Sequence, residues 1–260
     1  MNEYFPSTTV LAGYRGSIAH GTYVANSDPN SIDDIDTMGI FLGAPEYYIG
    51  LANKTKDGKR LDVFEIFEDP YDMVFYEFRK FVHLLIKSNP NVLSLLWLRD
   101  KDYLIRKPYG DTLIKNRDLF VSKKAYTAFT NYAFDQLRKM EKFKHKGYMG
   151  AKRKALVEKY KFDTKNAAHC LRLLTMCIEF LETGELNVYR DKDAYIFIDV
   201  KMGRWPLESV KLYAVELFAR AEEVFKKCTL PEEPPLDKIE KMLIDILYDY
   251  LTSDCSWRQK

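Results

Sequence analysis

The chain has 260 residues, 47% hydrophobic and 30% charged, with 40 Lys and Arg against 38 Asp and Glu, a net charge of +2. This is the profile of a globular protein rather than a disordered or membrane one, and the length suffices for one large domain or two modest ones around a real core. The longest apolar runs, such as Val92 to Leu98 with its internal serine, fall far short of the ~20 residues a spanning helix needs. Met1 to Tyr4 lacks the basic and then apolar stretch of a secretory signal, so the expected location is cytoplasmic. The four cysteines form no C-x-x-C pair, which leaves buried thiols as the reading of Cys170 and Cys177.

In chain order, Thr8 to Gly13 reads as a buried strand that ends in the turn Arg15-Gly16-Ser17. After the turn-rich loop Ala25 to Ser31, Ile35 to Leu42 reads as a second strand. Leu61 to Phe67 and Asp72 to Tyr76 are further strands, separated by Glu68-Asp69-Pro70. A helix follows from about Glu77 to Lys87, with Phe78, Phe81, Val82, Leu85 and Ile86 on one face, and Asn91 is expected to cap the next. Beyond residue 110 helical periodicity dominates. Ser122 is expected to cap one long helix, and Asp163 another that ends at Gly184. A short hairpin is expected from Asn187 to Val200, then closing helices at Leu207 to Lys227 and Leu236 to Leu251.

Asp34 and Asp36 are two apart on a predicted strand, so both carboxylates leave one face while Ile35 points inward. Two carboxylates so held can bridge divalent metals, and oxygen-only ligation favours Mg²⁺. Such a site normally needs a third carboxylate. Upstream, the backbone N–H groups and hydroxyl of Gly16-Ser17 are suited to hold phosphates, with glycine required for their close approach. Asp33 lies on the opposite face and reads as a solvated turn residue. Lys165, His169 and Arg172 fall at i, i+4 and i+7 on one helix face, either a solvated cationic stripe or the wall of a cleft beside Leu171, Leu174 and Ile178. From Arg138 to Arg172 there are twelve Lys or Arg against three Asp or Glu. Lys144, Lys146, Lys152 and Arg153 are the heart of this candidate polyanion surface, with Tyr148 and Tyr160 able to stack on unpaired bases.

Strand, G-S turn, short connection and D-x-D on a strand together resemble the signature of the DNA polymerase β nucleotidyltransferase superfamily. Gly16 to Thr22, Asp34 to Phe41, Asp72 to Phe81 and Asn89 to Leu93 resemble its YcgL-type branch, the predicted RNA-repair-pathway nucleotidyltransferases. The pattern K-x-x-x-H-x-x-R-L-L at Lys165, His169, Arg172, Leu173 and Leu174 resembles it too. The resemblance implies an α+β fold: a polymerase-β-like lobe with a small mixed sheet over residues 1–110, then a mainly helical lobe over 111–260 that contributes to nucleotide and acceptor binding. It implies Asp72 as the third carboxylate, with Glu65 and Asp62 as competitors. His20 is either a phosphate or metal neighbour or a polar cap on the turn, and Lys165, His169 and Arg172 become nucleotide phosphate contacts. The expected reaction moves a nucleoside monophosphate from NTP to an acceptor hydroxyl and releases pyrophosphate, using two Mg²⁺ ions, with Mn²⁺ as a substitute. RNA, such as a tRNA 3′ end, is the favoured acceptor. A protein side chain or a small molecule such as an aminoglycoside is the alternative, and a non-catalytic nucleotide- or RNA-binding module is the third reading.

Overall fold

In the computed structural model residues 4–25, 27–28, 31, 33–50, 62–141 and 151–253 are described. Strand β1 (Thr9–Tyr14) runs into a single helical turn, α1 (Gly16–Ala19), and β2 (Ile35–Phe41) lies antiparallel to β1 with Ala12 opposite Gly39. After α2 (Pro45–Ile49), β3 (Val63–Glu68) and β4 (Tyr71–Glu77) form an antiparallel pair. Strand β4 runs parallel to β2, and β5 (Tyr103–Arg106) pairs with the far side of β1. The result is a five-stranded mixed sheet in the order β3-β4-β2-β1-β5.

Alternation along the strands gives the sheet two apolar faces. Ala12, Met73 and Phe75 fill one side, while Leu11, Met38, Ile40 and Val74 face the helices. On that second face α3 (Phe78–Ile86) buries Phe78, Phe81, Val82 and Leu85, the spacing of an apolar stripe. Its start is set by Glu77, whose carboxylate accepts from the N–H groups of Arg79 and Lys80 at 3.0 and 3.1 Å. The next short helix, α4 (Pro90–Ser94), is capped by Asn89 rather than by Asn91. Pro90 takes the first helical position, where a missing N–H costs nothing, and this moves the cap one residue upstream of it.

The remainder is helical: α5 (Pro108–Lys115), α6 (Lys124–Glu141), α7 (Ala151–Tyr160), α8 (Thr164–Thr183), α9 (Ala194–Lys201), α10 (Leu207–Lys227) and α11 (Leu236–Ser253). The α+β architecture is thus the one the sequence implied. Helix α8 is buried on nearly every side, with α6, α9 and α10 packed around it. The expected caps stand at its ends: Asp163 accepts from Asn166 N–H at 3.2 Å, and Gly184 adopts φ +75°. Burial pushes the thiols of Cys170 and Cys177 up to about 12, so they act as small apolar groups.

Two expected elements differ. Ser122 does not cap α6 with its hydroxyl, which is buried without a partner among the described residues; its carbonyl accepts from Ala125 N–H and starts the helix instead. The hairpin expected over 187–200 is replaced by an irregular stretch and α9. Ile196, Phe197, Ile198 and Val200 favour a strand locally, but Phe197, Val200 and Lys201 are buried at i, i+3 and i+4 against α8, and that packing decides for helix. One cluster of buried apolar side chains extends from Leu11 and Met38 through Phe81 to Phe180 and Ala214, joining sheet and helices. Among the described residues no helix is long and apolar enough to cross a membrane.

Candidate active site

The end of β1 meets the start of β2 at Gly16. Its φ is +60°, a left-handed conformation that L side chains rarely adopt. A Cβ there would stand 2.1 Å from Asp36 Oδ2. The glycine is therefore required by the Asp36 carboxylate lying against it, a reason the sequence did not disclose. Ser17 follows with its hydroxyl buried and without a partner among the described residues.

Asp36 stands on β2 directly opposite Asp72 on the parallel strand β4. Asp34 precedes β2 by one residue and is exposed, and Ile35 is half-buried rather than fully inward. Burial pushes the Asp36 carboxyl up to about 6, against the lowering pull of Arg15 and Lys165, with Asp72 and Asp34 adding to the rise. Asp34 is also raised, by burial first and then by Asp72 and Asp33, while Lys165 opposes. Three carboxyl groups in such a field favour a cation. Arg15 already supplies one: its Nη2 lies 3.1 Å from Asp72 Oδ2 and 3.7 Å from Asp36 Oδ1. Among the described residues no three His, Cys, Asp or Glu side chains are gathered tightly enough to enclose an ion on their own. The pair nonetheless fits a small cation that takes further ligands from substrate and water, as Mg²⁺ does. The two competing carboxylates stand elsewhere. Glu65 is exposed on β3 opposite Val74, and Asp62 lies at the far end of β4, 3.7 Å from Lys80.

Of this acidic edge Asp36 lines a cleft whose other side is a cationic wall, while Asp34 and Asp72 stand outside its lining. Gly16, Ser17, Asp36, Lys165, His169 and Arg172 meet there, together with His20. Arg172 is only 9% exposed and has no carboxylate partner among the described residues; its Nη1 donates to His20 Nε2 at 2.6 Å and to Met176 Sδ at 3.2 Å. Burial and the nearby Arg190 pull its pKa down to about 9, which still leaves it charged at neutral pH. His169 presents a buried Nε2 without a partner among the described residues and meets the Tyr132 ring edge-on at 5.5 Å. A buried guanidinium without a carboxylate is costly unless an anion completes it.

Arg15 and Lys201 line the same cleft and were not legible as site residues: Arg15 is a lone cation beside the turn, and Lys201 falls one residue beyond the expected hairpin. Lys201 donates to Asp33 Oδ2 at 2.5 Å and to the carbonyl of Thr22. Asp33, expected to be solvated, is 2% exposed and also accepts from Val24 N–H at 2.8 Å, so it clamps the loop before β2 onto α9. Of the basic segment, Lys144 and Lys146 lie outside the described residues, as do Lys142, His145 and Tyr148. Lys152 stands in the first turn of α7. Arg153 is committed to the cap of α8, 2.7 Å from Asp163 and 2.9 Å from the Asn166 side-chain oxygen.

A model of the RNA repair pathway DNA polymerase beta family, RlaP, matches residues 2–194. No curated protein matches the chain. Among solved structures, a nucleotidyltransferase-like protein from Exiguobacterium sibiricum 255-15 aligns over 94% of this chain and 75% of that one, at 12% identity and a TM-score of 0.28.

Proposed function

The chain belongs to the RNA repair pathway DNA polymerase beta family, and from that premise we propose that it transfers a nucleoside monophosphate from NTP to an acceptor hydroxyl on RNA, releasing pyrophosphate. It is a nucleotidyltransferase of the polymerase β type, enzymes that generally use divalent metals. The observation that carries the finer reading is the single cleft in which an acidic edge at Asp36 faces a cationic wall at Lys165 and Arg172 across the Gly16-Ser17 turn. One side suits metals and the other suits a triphosphate.

Asp34, Asp36 and Asp72 would hold Mg²⁺, or Mn²⁺ in its place. Bound there, the ions supply neutralisation of triphosphate charge and activation of the attacking hydroxyl. The chain's own part is electrostatic and positional. Ser17 offers to a phosphate oxygen a hydroxyl that has no partner among the described residues. Arg172, Lys165 and His169 take the phosphates from the α8 side. Asp72, with 39% of its side chain exposed against 20% for Asp36, is open to an acceptor hydroxyl, and in this reading it positions or deprotonates that hydroxyl. In this reading residues 1–110 form the catalytic lobe, and 111–260 supply the nucleotide and acceptor contacts.

The test is incubation with Mg²⁺ and each labelled NTP, offering total tRNA or total protein. Label in the RNA pool alone supports the proposal; label in protein alone, or in neither, refutes the RNA acceptor. Replacing Lys144, Lys146 and Lys152 with Ala, while leaving Arg153 to its cap, should lower the slope of log K against log salt by about 0.7–0.9 for each RNA phosphate that is no longer neutralised. An unchanged slope removes the basic segment from the acceptor site.

A further inference from the structure

His20 sits at the C-terminal end of α1, where its two ring nitrogens meet groups of fixed character. Nδ1 is 2.9 Å from the carbonyl oxygen of Val188, and Nε2 is 2.6 Å from Nη1 of Arg172. A carbonyl has no proton to give, so Nδ1 must carry one. A guanidinium has no lone pair to offer, so Nε2 must accept. Only the neutral Nδ1–H tautomer satisfies both partners. The ring therefore has no N–H left to give a phosphate.

Both described hydrogen bonds of Arg172 leave from Nη1, to His20 and to Met176 Sδ. Its Nε and Nη2 donate to no other described residue, and the side chain lines the cleft. Those N–H groups form one flat edge of the guanidinium, the geometry that receives two oxygens of a phosphate. We propose that His20 is a positioning residue: by accepting from Nη1 it turns the free Nε and Nη2 edge of Arg172 into a phosphate fork facing the cleft. The inference rests on the reading of the cleft as a triphosphate site. It explains why a histidine lies behind a buried arginine that meets no carboxylate among the described residues. A carboxylate in its place would neutralise the guanidinium, whereas a neutral imidazole orients it and leaves its charge for the ligand.

The two amide substitutions separate this role from a tether. His20→Asn can still donate to the Val188 carbonyl but has no atom where Nε2 stood; His20→Gln reaches that position with an oxygen. With inorganic tripolyphosphate as a base-independent probe, calorimetry should show about ten-fold weaker binding for His20→Asn and recovery to within a few-fold for His20→Gln. Arg172→Ala should weaken binding at least as much, and adding His20→Asn to it should change nothing further, because the two residues act as one unit. Should Arg172→Ala fail to fold, Arg172→Lys keeps the charge, removes the fork and is expected to show the same loss. Folded His20→Asn binding like wild type, or a loss that adds to that of the Arg172 variant, overturns the positioning role. Unchanged binding in both Arg172 variants overturns the triphosphate reading itself, and the positioning role with it.

Discussion

Substituting the buried His20 and the half-buried His169, His20→Gln with His169→Gln, is expected to abolish an acid-dependent loss of stability of at most about 2.7 kcal/mol between pH 7.5 and 5.5. Burial is the largest cause lowering each pKa well below 6.5, and the charges around them act in the same sense. Arg172, His169 and Arg190 oppose a proton on His20; Arg172, Lys165, Lys139 and Arg153 oppose one on His169. The Val188 carbonyl alone favours it, and only for His20. A histidine depressed in the fold contributes stability that is fully present above the unfolded pKa and is lost as pH falls toward the folded one. Over this interval the unfolded ring gains most of a proton, and a folded ring that stays neutral throughout sets the upper bound of about 1.4 kcal/mol per histidine. Asp36, raised to about 6, works in the opposite direction, so the comparison must be wild type against variant, which share it. His83 is exposed and is likewise common to both. Urea denaturation followed by tryptophan fluorescence at several pH values measures the difference. Parallel stability profiles would mean that the rings titrate normally in the fold, and the neutral acceptor role of His20 would fall with that result.

Asp36→Asn should eliminate transfer of labelled nucleotide while circular dichroism stays native, since it removes a charge from the cation site without changing shape; turnover near wild type would disprove the assignment. Gly16→Ala should cost about 1–2 kcal/mol for its left-handed backbone alone, with more from the Cβ pressed against Asp36, and should abolish activity. Ser17→Ala is expected to leave the urea midpoint unchanged, because its hydroxyl has no described partner to lose, yet to weaken NTP binding by about five- to ten-fold. Lys201→Met should destabilise by about 3–5 kcal/mol by stranding the buried Asp33, and adding Asp33→Leu should recover much of that in the urea midpoint. A double variant no better than the single would show that the charge pair is not the cause.

Signals carried by neighbouring residues were legible without the fold. The Gly16-Ser17 turn after an apolar strand, the D-x-D at the head of the next, and α8 between Asp163 and Gly184 follow from side-chain period, cap hydrogen bonds and a φ that glycine accepts. The i, i+4, i+7 spacing of Lys165, His169 and Arg172 put them on one face, but left open whether that face met water or a cleft. Tertiary structure places that face on a cleft that also holds Asp36 at the start of β2. Asp72 stands opposite Asp36 through the parallel register of β4 on β2, which a crossover connection sets and no local pattern encodes. Lys201 entered the site because packing on α8 overrode the strand propensity of its own segment. Arg15, Asp33 and His20 took their roles from partners far along the chain, 168 residues away for both Asp33 with Lys201 and His20 with Val188. A side chain's periodicity states which way it points, whereas its charge partner depends on what the folded chain brings opposite, and that is a property of packing alone.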